Sequence, residues 1–261
     1  SQGYTSFGEL NQLTAAHSGS TLLNAQYTRD NAGRITQKIE TVTGQIDAYS
    51  YTYDLTGRLT GVTRNGASTA TYTYDPNGNR QSRNGITGSY DDQDRLLSYG
   101  ANTYSHTANG ERTTKATGTQ VTNYTYDVFG NLTKVTLPTG TAIDYVIDGR
   151  NRRIGKKING TLTQGFLYQD QLKPIAELDG SGNVVSRFVY GTRLNVPDYM
   201  IKGTSTYRII TDHLGSPRLI VNTADGTIAQ RMDYDEFGNV TQDTSPGFQP
   251  FGFAGGLYDR D

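Results

Sequence analysis

The chain contains neither cysteine nor tryptophan, and its formal net charge is only −1. Without cysteine it can have no disulfide framework and no thiolate metal site. A charge close to zero gives no bulk attraction to nucleic acid or to an anionic membrane. No apolar run approaches the roughly 20 residues that a membrane-spanning helix needs. The fold must therefore be stable without disulfide cross-links, and we predict no nucleic-acid partner.

Histidine is also scarce, with His17, His106 and His213 far apart in the sequence. They share no metal-ligand spacing, and no nucleophile motif accompanies them, so we predict no metal, no cofactor and no catalytic residue. The acidic pairs fall in turns, where carboxylates usually cap the backbone. The sequence therefore favours a protein that is not an enzyme.

One basic run could suggest a polyanion site. Five cations lie within eight residues: Arg150, Arg152, Arg153, Lys156 and Lys157. A nucleic-acid or heparin-like patch is one interpretation of such a run. A solvated hairpin that alternates charge with isoleucine is the interpretation we favour, because no excess of positive charge supports the patch.

What the chain has in abundance is tyrosine and glycine, arranged in a repeat. Nineteen tyrosines and 31 glycines are present. A motif of the form Tyr-Asp-x-x-Gly recurs near every 20 residues, which marks a repeat architecture. Its clearest copies are Tyr53-Asp54 with Gly57, Tyr74-Asp75 with Gly78, Tyr126-Asp127 with Gly130 and Tyr234-Asp235 with Gly238. Degenerate copies begin at Tyr4, Arg29, Tyr90, His106, Ile147, Leu178 and Asn222.

The motif predicts a turn. Aspartate at the first corner can bond its own backbone, and the glycine position is filled by Gly, Asp or Asn, the residues that best tolerate positive φ. Between the motifs, segments such as Tyr49–Tyr53 and Tyr72–Tyr74 alternate aromatic with small polar residues, the period of a strand with one wet face. Two-residue hairpin signals follow at Asn65-Gly66, Asn84-Gly85, Asn159-Gly160, Asp179-Gly180 and Asp225-Gly226.

These signals predict an all-β fold of antiparallel β-hairpin repeats. A long meander exposes its edges unless it curls, so we expect a spiralling shell or a partial barrel. We find no convincing helical stretch and predict almost no helix; the best candidate, residues 14–24, is interrupted by a Ser-Gly-Ser sequence.

The Tyr-Asp-x-x-Gly-(Arg or Asn)-Leu repeat resembles the YD repeat of the Rhs family, which includes the C component of the Tc insecticidal toxins and, more distantly, the teneurins. The resemblance covers the whole chain. It is sharpest in the run from Asp212 to Asp259, which is similar to the start of the Rhs-repeat-associated core. We therefore expect one shell segment over 1–261, with repeats over 1–210 and the start of the core over 211–261.

In that family, the resemblance implies a hollow β-shell that encloses a C-terminal toxin domain and a core with an aspartate-dependent self-cleavage motif. The chain departs from the pattern because it reaches Asp261 before any such motif, so no catalytic residue is carried over. The expected function is structural encapsulation in a secreted or cell-surface bacterial toxin exported by a secretion system. The expected partners are the toxin domain and the remaining shell repeats.

Two questions stay open on the sequence alone. The repeat already runs at Tyr4, there is no initiator methionine, and the pattern has not ended at Tyr258, which favours a piece of a longer protein with edge strands that self-associate or pair. The alternative function is an extracellular carbohydrate-binding or adhesion module, whose tyrosines would bind a cell-surface glycan. Exposed tyrosines in a row would favour it, whereas inward tyrosines would favour a shell.

Overall fold

Antiparallel strands make up nearly all the regular structure of the computed structural model, which describes residues 1–260. The chain divides into two compact units, Ser1–Thr141 and Ala142–Asp261. In each unit the pairings join successive strands, which makes each a meander of hairpins.

The first unit contains fourteen strands. They are β1 (Gln2–Tyr4), β2 (Leu10–His17), β3 (Ser20–Arg29), β4 (Ile35–Val42), β5 (Gln45–Tyr53), β6 (Leu59–Arg64), β7 (Ala67–Tyr74), β8 (Arg80–Arg83), β9 (Ile86–Tyr90), β10 (Leu96–Tyr99), β11 (Asn102–His106), β12 (Arg112–Thr117), β13 (Gln120–Tyr126) and β14 (Leu132–Thr136).

The second unit continues with ten strands and one short 3-10 helix. The strands are β15 (Ala142–Ile147), β16 (Arg153–Ile158), β17 (Thr161–Tyr168), β18 (Pro174–Asp179), β19 (Val184–Val189), β20 (Tyr199–Lys202), β21 (Ser205–Thr211), β22 (Pro217–Asn222), β23 (Ile228–Tyr234) and β24 (Val240–Asp243). The 3-10 turn is Phe253–Gly255.

The alternation of residue types decides which face of the sheet is covered. In β7, Ala70 and Tyr72 are buried while the threonines between and beside them are exposed. On the exposed face, hydroxyls pair across the strands, as between Thr73 and Ser82 at 2.6 Å. This is the period-2 pattern of a sheet with one apolar and one wet face.

Each unit has a thin core on its apolar face. In the first unit, Val62, Ala70 and Tyr72 are buried, and Tyr49, Tyr51, Leu59 and Tyr74 pack against them. The core of the second unit is larger: Phe188, Val196, Met200, Ile209, Ile220 and Phe251 are each at most 4% exposed.

Residues 249–258 leave the meander and contribute Phe251 to that second core, with Leu257 packed against it. The ring of Phe251 meets Phe188 edge-on, with centroids 4.9 Å apart. The buried amide of Gln249 stands in for a neighbouring strand: its Nε2 donates to the Phe251 carbonyl at 2.8 Å, and its Oε1 accepts from the Phe251 N–H at 2.6 Å. The loop therefore stays packed because its buried polar groups are paired.

The prediction of an all-β antiparallel fold is confirmed. The prediction of almost no helix is confirmed within residues 1–260: residues 14–24 lie in β2 and β3 and in the turn between these strands, where Ser18 and Gly19 both have positive φ. No described strand pair closes either sheet, so a closed barrel is not observed in residues 1–260.

Two of the five predicted two-residue hairpin turns are wrong. Asp179-Gly180 opens a five-residue turn, because the Asp179 N–H donates to the Asn183 carbonyl at 2.9 Å and Gly182 is the residue with positive φ. The Gly226 N–H likewise donates back to the Asn222 carbonyl and closes a longer turn than Asp225-Gly226 suggested. In both cases the turn instead follows the degenerate repeat copies that begin at Leu178 and Asn222.

Candidate functional site

The repeat turns share one geometry, seen at Tyr53-Asp54-Gly57. The Asp54 N–H donates to the Arg58 carbonyl at 2.9 Å, and the Gly57 N–H donates to the Asp54 carbonyl at 3.0 Å. The carboxylate Oδ1 of Asp54 accepts the backbone N–H groups of Thr56 and Arg58 at 3.0 and 2.9 Å. Gly57 has φ 86°, a region where a side chain is strained. The aspartate therefore caps the turn and the glycine closes it.

The other three motif copies have the same arrangement. Asp75, Asp127 and Asp235 donate their N–H groups to the carbonyls four residues on, at 3.0, 3.0 and 2.9 Å. The glycines three residues after each aspartate have the expected positive φ: Gly78 at 94°, Gly130 at 80° and Gly238 at 83°. The motif therefore forms a turn at each of these places.

The turn carboxylates are stabilised in their charged form. The guanidinium of Arg152 donates to Asp148 Oδ2 at 2.8 Å, and two backbone N–H groups donate to Oδ1. The side-chain bond from Arg152, followed by the backbone bonds, lowers the pKa of Asp148 to about 2. The side-chain amide of Asn131 lowers the pKa of Asp127 in the same way. These aspartates are structural anions rather than proton donors.

Six tyrosines that precede a repeat turn link their repeat to an earlier one by hydrogen bonds. Each of six hydroxyls donates to the carbonyl of the first residue of an earlier strand, across 10 to 18 residues of sequence. The pairs are Tyr53 with Ile35, Tyr74 with Leu59, Tyr90 with Arg80, Tyr126 with Arg112, Tyr168 with Arg153 and Tyr190 with Pro174. Burial raises the pKa of Tyr168 and Tyr190, so both stay neutral donors.

The residue after the turn glycine ties some repeats to the next one. Arg58 Nε pairs with its own Asp54 at 2.7 Å while Nη1 donates to the Asp75 carbonyl at 2.9 Å. The same guanidinium lies 5.0 Å from the centroid of the Tyr74 ring, within cation–π range. Arg34 over Tyr53 and Arg152 over Tyr168 repeat the contact at 4.9 and 5.0 Å.

Tyr234 is the exception among the four main copies. Its hydroxyl lies 3.5 Å from Met232 Sδ, and its ring packs against Phe253 with centroids 5.9 Å apart. Burial raises its pKa well above the usual range. This tyrosine therefore belongs to the packing of the C-terminal loop.

Degenerate copies keep the bonds with different atoms. Arg29 stands in the tyrosine place and donates through Nη2 to the Leu10 carbonyl at 3.3 Å. Asp94 and Asn151 stand in the glycine place with φ 60° and 58°. Four turns with this bonding were not predicted from the sequence, those over residues 137–141, 169–173, 212–216 and 252–256. The turn over 137–141 lacks both Asp and Tyr at the defining positions, so only its spacing could have indicated it. The turn over 169–173 keeps Tyr168 in the tyrosine place but has Gln169 and Leu172 where Asp and Gly usually stand.

The basic run does not form one patch. Arg152 caps its own turn, and both Arg153 and Lys156 contact Asp259, at 3.3 and 2.5 Å. Asp259 also accepts the hydroxyl of Tyr145 at 2.6 Å. Bonds from Lys156 and Tyr145 outweigh the burial of this carboxyl and lower its pKa. The run therefore lies in the hairpin that we favoured, but this hairpin is not fully solvated, because Lys156 is only 7% exposed and is paired with Asp259.

Within residues 1–260, no group of three or more histidine, aspartate or glutamate side chains has the arrangement of a metal site. Across the same residues, no helix has the length and apolar character to cross a membrane. The most regular side-chain contacts of these residues are therefore the hydrogen bonds within the repeat turns and the tyrosine and arginine contacts between repeats.

Known proteins share this architecture. The family model described as Teneurin YD-shell matches residues 1–261. Teneurin-1 of Gallus gallus is 29% identical over 229 residues, which is 84% of this chain and 8% of that protein. The tRNA3(Ser)-specific nuclease WapA of Bacillus spizizenii is 27% identical over 203 residues, 73% of this chain and 8% of that protein. The chain thus spans less than a tenth of the length of these curated relatives.

A solved structure supports the fold independently. The crystal structure of TcdB2-TccC3-TEV aligns with 99% of this chain and 18% of its own chain, with a TM-score of 0.54 and 14% identity. At that identity the similarity concerns the fold alone. Together with the family match over the full length, it shows that the chain belongs to the teneurin YD-shell family and is a YD-repeat shell module.

Proposed function

We propose that this chain is a wall segment of an encapsulating shell in a bacterial Rhs-type toxin, and that the shell houses a C-terminal toxin domain. The observation that carries the proposal is that the tyrosines make contacts between repeats. Their hydroxyls bond the backbone of the preceding repeat, and several rings lie beneath an arginine or lysine. Repeats coupled in this way make a stiff sheet within each unit, which suits containment.

The similarity to a bacterial nuclease supports the same proposal. WapA is named for cleavage of a tRNA, and the part that resembles this chain is 8% of it. A protein of that kind has ample length for a separate catalytic domain. On this proposal the present chain catalyses nothing, its partners are the toxin domain and the remaining shell repeats, and the whole is secreted or displayed by a bacterium.

Glycan recognition is the competing proposal, and the tyrosine exposure argues against it. A sugar-binding row needs accessible ring faces, yet of the nineteen tyrosines only Tyr4 and Tyr199 are exposed, at 56% and 39%. Tyr199 is itself covered by Arg208, whose Cζ lies 4.7 Å from the ring centroid. Two isolated tyrosines do not form a row of ring faces on which a sugar could stack.

A protease-protection experiment on the full-length gene product tests encapsulation. We expect the coding sequence to continue beyond Asp261 into a variable domain, and proteinase K to spare that domain while the shell is folded. The matched control is the same domain expressed without the shell, which should be digested rapidly. A gene without such a domain, or equal digestion in both cases, would overturn the proposal. Binding to a glycan array that Tyr199→Ala abolishes would favour the alternative.

A further inference from the structure

The chain contains five Asn-Gly dipeptides, beginning at Asn65, Asn77, Asn84, Asn109 and Asn159. Asparagine is among the thermolabile residues of proteins, and glycine after it leaves the side-chain amide open to attack. All five dipeptides lie in turns, but their side chains are held differently. The differences point to two of the five as sites of spontaneous modification.

Asn77 and Asn109 form a matched pair. Each is the third residue of a repeat turn, and each is followed by a glycine with positive φ, 94° at Gly78 and 102° at Gly110. In both turns the glycine N–H donates to the first turn carbonyl at 3.1 Å. The backbone that would attack is therefore equally restrained in the two places.

Their side chains differ. Asn77 Nδ2 donates to Asp94 Oδ1 at 2.9 Å, which fixes the amide. Within residues 1–260, no side-chain hydrogen bond is made by Asn109, which is exposed. Its Cγ can therefore approach the Gly110 nitrogen without first breaking a bond.

The hairpin turns show the same contrast. The side-chain Oδ1 of Asn65, Asn84 and Asn159 accepts a backbone N–H in each case, at 2.8, 2.7 and 2.9 Å. The amide nitrogens of the first two also donate, Asn65 to Asp47 at 3.0 Å and Asn84 to Thr69 at 3.2 Å. Among the described residues, the Asn159 amide nitrogen has no acceptor. Asn159 is thus the least restrained of the three.

We propose that Asn109 and Asn159 are deamidation sites and that the other three Asn-Gly dipeptides are protected by their amide bonds. At Asn109 the Gly110 nitrogen gives up its proton to water and bonds Cγ, and Nδ2 leaves as ammonia. The resulting succinimide is opened by water at either carbonyl, giving aspartate or isoaspartate. No oxidant or cofactor is needed.

The product would alter the β11–β12 hairpin. Isoaspartate places one extra carbon in the backbone between Asn109 and Gly110. The turn bonds from Thr107 N–H to the Glu111 carbonyl at 2.8 Å and from Gly110 N–H to the Thr107 carbonyl at 3.1 Å then cannot both be kept. The modification also adds a negative charge two residues from Glu111.

Peptide mapping by mass spectrometry after incubation at mildly alkaline pH tests the proposal. One net hydrogen bond corresponds to about fivefold in rate, so Asn109 should deamidate about five times faster than Asn77, and Asn159 about five times faster than Asn65 or Asn84. In denaturing urea the ratios should fall toward one. A ranking that persists in urea would overturn the proposal, because it would come from the local sequence.

Asp94→Gly provides the decisive variant. Glycine is the usual residue at this turn position and suits the φ of 60°, so the fold should be retained. Removing the carboxylate should raise the Asn77 rate to that of Asn109 and leave Asn109 and Asn65 unchanged. Equal rates at Asn77 and Asn109 before the substitution, or no acceleration after it, would contradict the proposal.

Discussion

Replacing Gly238 with alanine should destabilise the second unit more than the same change in a neighbouring turn. Gly182 is the matched control, because it lies in the same unit with φ 85° against 83° and is also followed by an asparagine that caps the turn aspartate. The surroundings differ. A Cβ on Gly182 would meet nothing within 4 Å, whereas a Cβ on Gly238 would meet Phe253 Cγ at 2.5 Å.

The magnitudes follow from these contacts. Both substitutions place alanine in the left-handed region, which costs about 1–2 kcal/mol. Gly238→Ala must also displace the Phe253 ring, an overpacking that costs a further ~1–3 kcal/mol. We therefore expect about 1–2 kcal/mol for Gly182→Ala and about 2–5 kcal/mol for Gly238→Ala.

Urea unfolding of the whole chain, followed by tyrosine fluorescence, measures the loss of unfolding free energy in the two variants. A double variant with Phe253→Ala should remove most of the excess cost at Gly238 and none of the cost at Gly182, because φ strain, which the two sites share, is then the main cost at both. Equal costs for the two glycine substitutions, or no rescue by Phe253→Ala, would refute the packing of the C-terminal loop against the last repeat turn.

Three further substitutions or titrations test other parts of the structure. Tyr74→Phe removes the 2.8 Å bond to the Leu59 carbonyl and should cost about 0.5–1.5 kcal/mol in denaturant unfolding, whereas Tyr199→Phe should be nearly neutral. Phe251→Ala, at a side chain 1% exposed, should cost about 3–5 kcal/mol, and a loss below ~1 kcal/mol would contradict its place in the core. The folded pKa of Asp148 is about 2, below its unfolded value of 3.8, so its contribution to the stability of the fold is complete above pH 4 and is lost as the pH falls toward 2. Asp148→Asn should flatten that part of an acid unfolding curve followed by circular dichroism.

The sequence predicted the turns well because their determinants are local. Aspartate at a corner and glycine three residues later specify the same loop at Asp54 and Asp127, whatever surrounds them. The strand periodicity is equally local. Both could therefore be read from windows of fewer than ten residues.

The contacts between repeats could not be predicted in this way. That a tyrosine hydroxyl reaches the first carbonyl of an earlier strand depends on strand pairing, and so does the placement of Arg58 over Tyr74. The anchor of Asp259 on Lys156 joins residues 103 positions apart. The bonds between the Gln249 side-chain amide and the Phe251 backbone correspond to no periodic pattern in the sequence.

The claim at the centre of this account is that the chain forms part of a wall around a cargo. An electron cryo-microscopy reconstruction of the full-length gene product tests it most directly. We predict that residues 1–260 keep the hairpin meander and the tyrosine bonds, and that their apolar face borders an enclosed volume with density for a C-terminal polypeptide. A reconstruction in which that face is open to solvent, with the C-terminal polypeptide folded outside, would contradict the account.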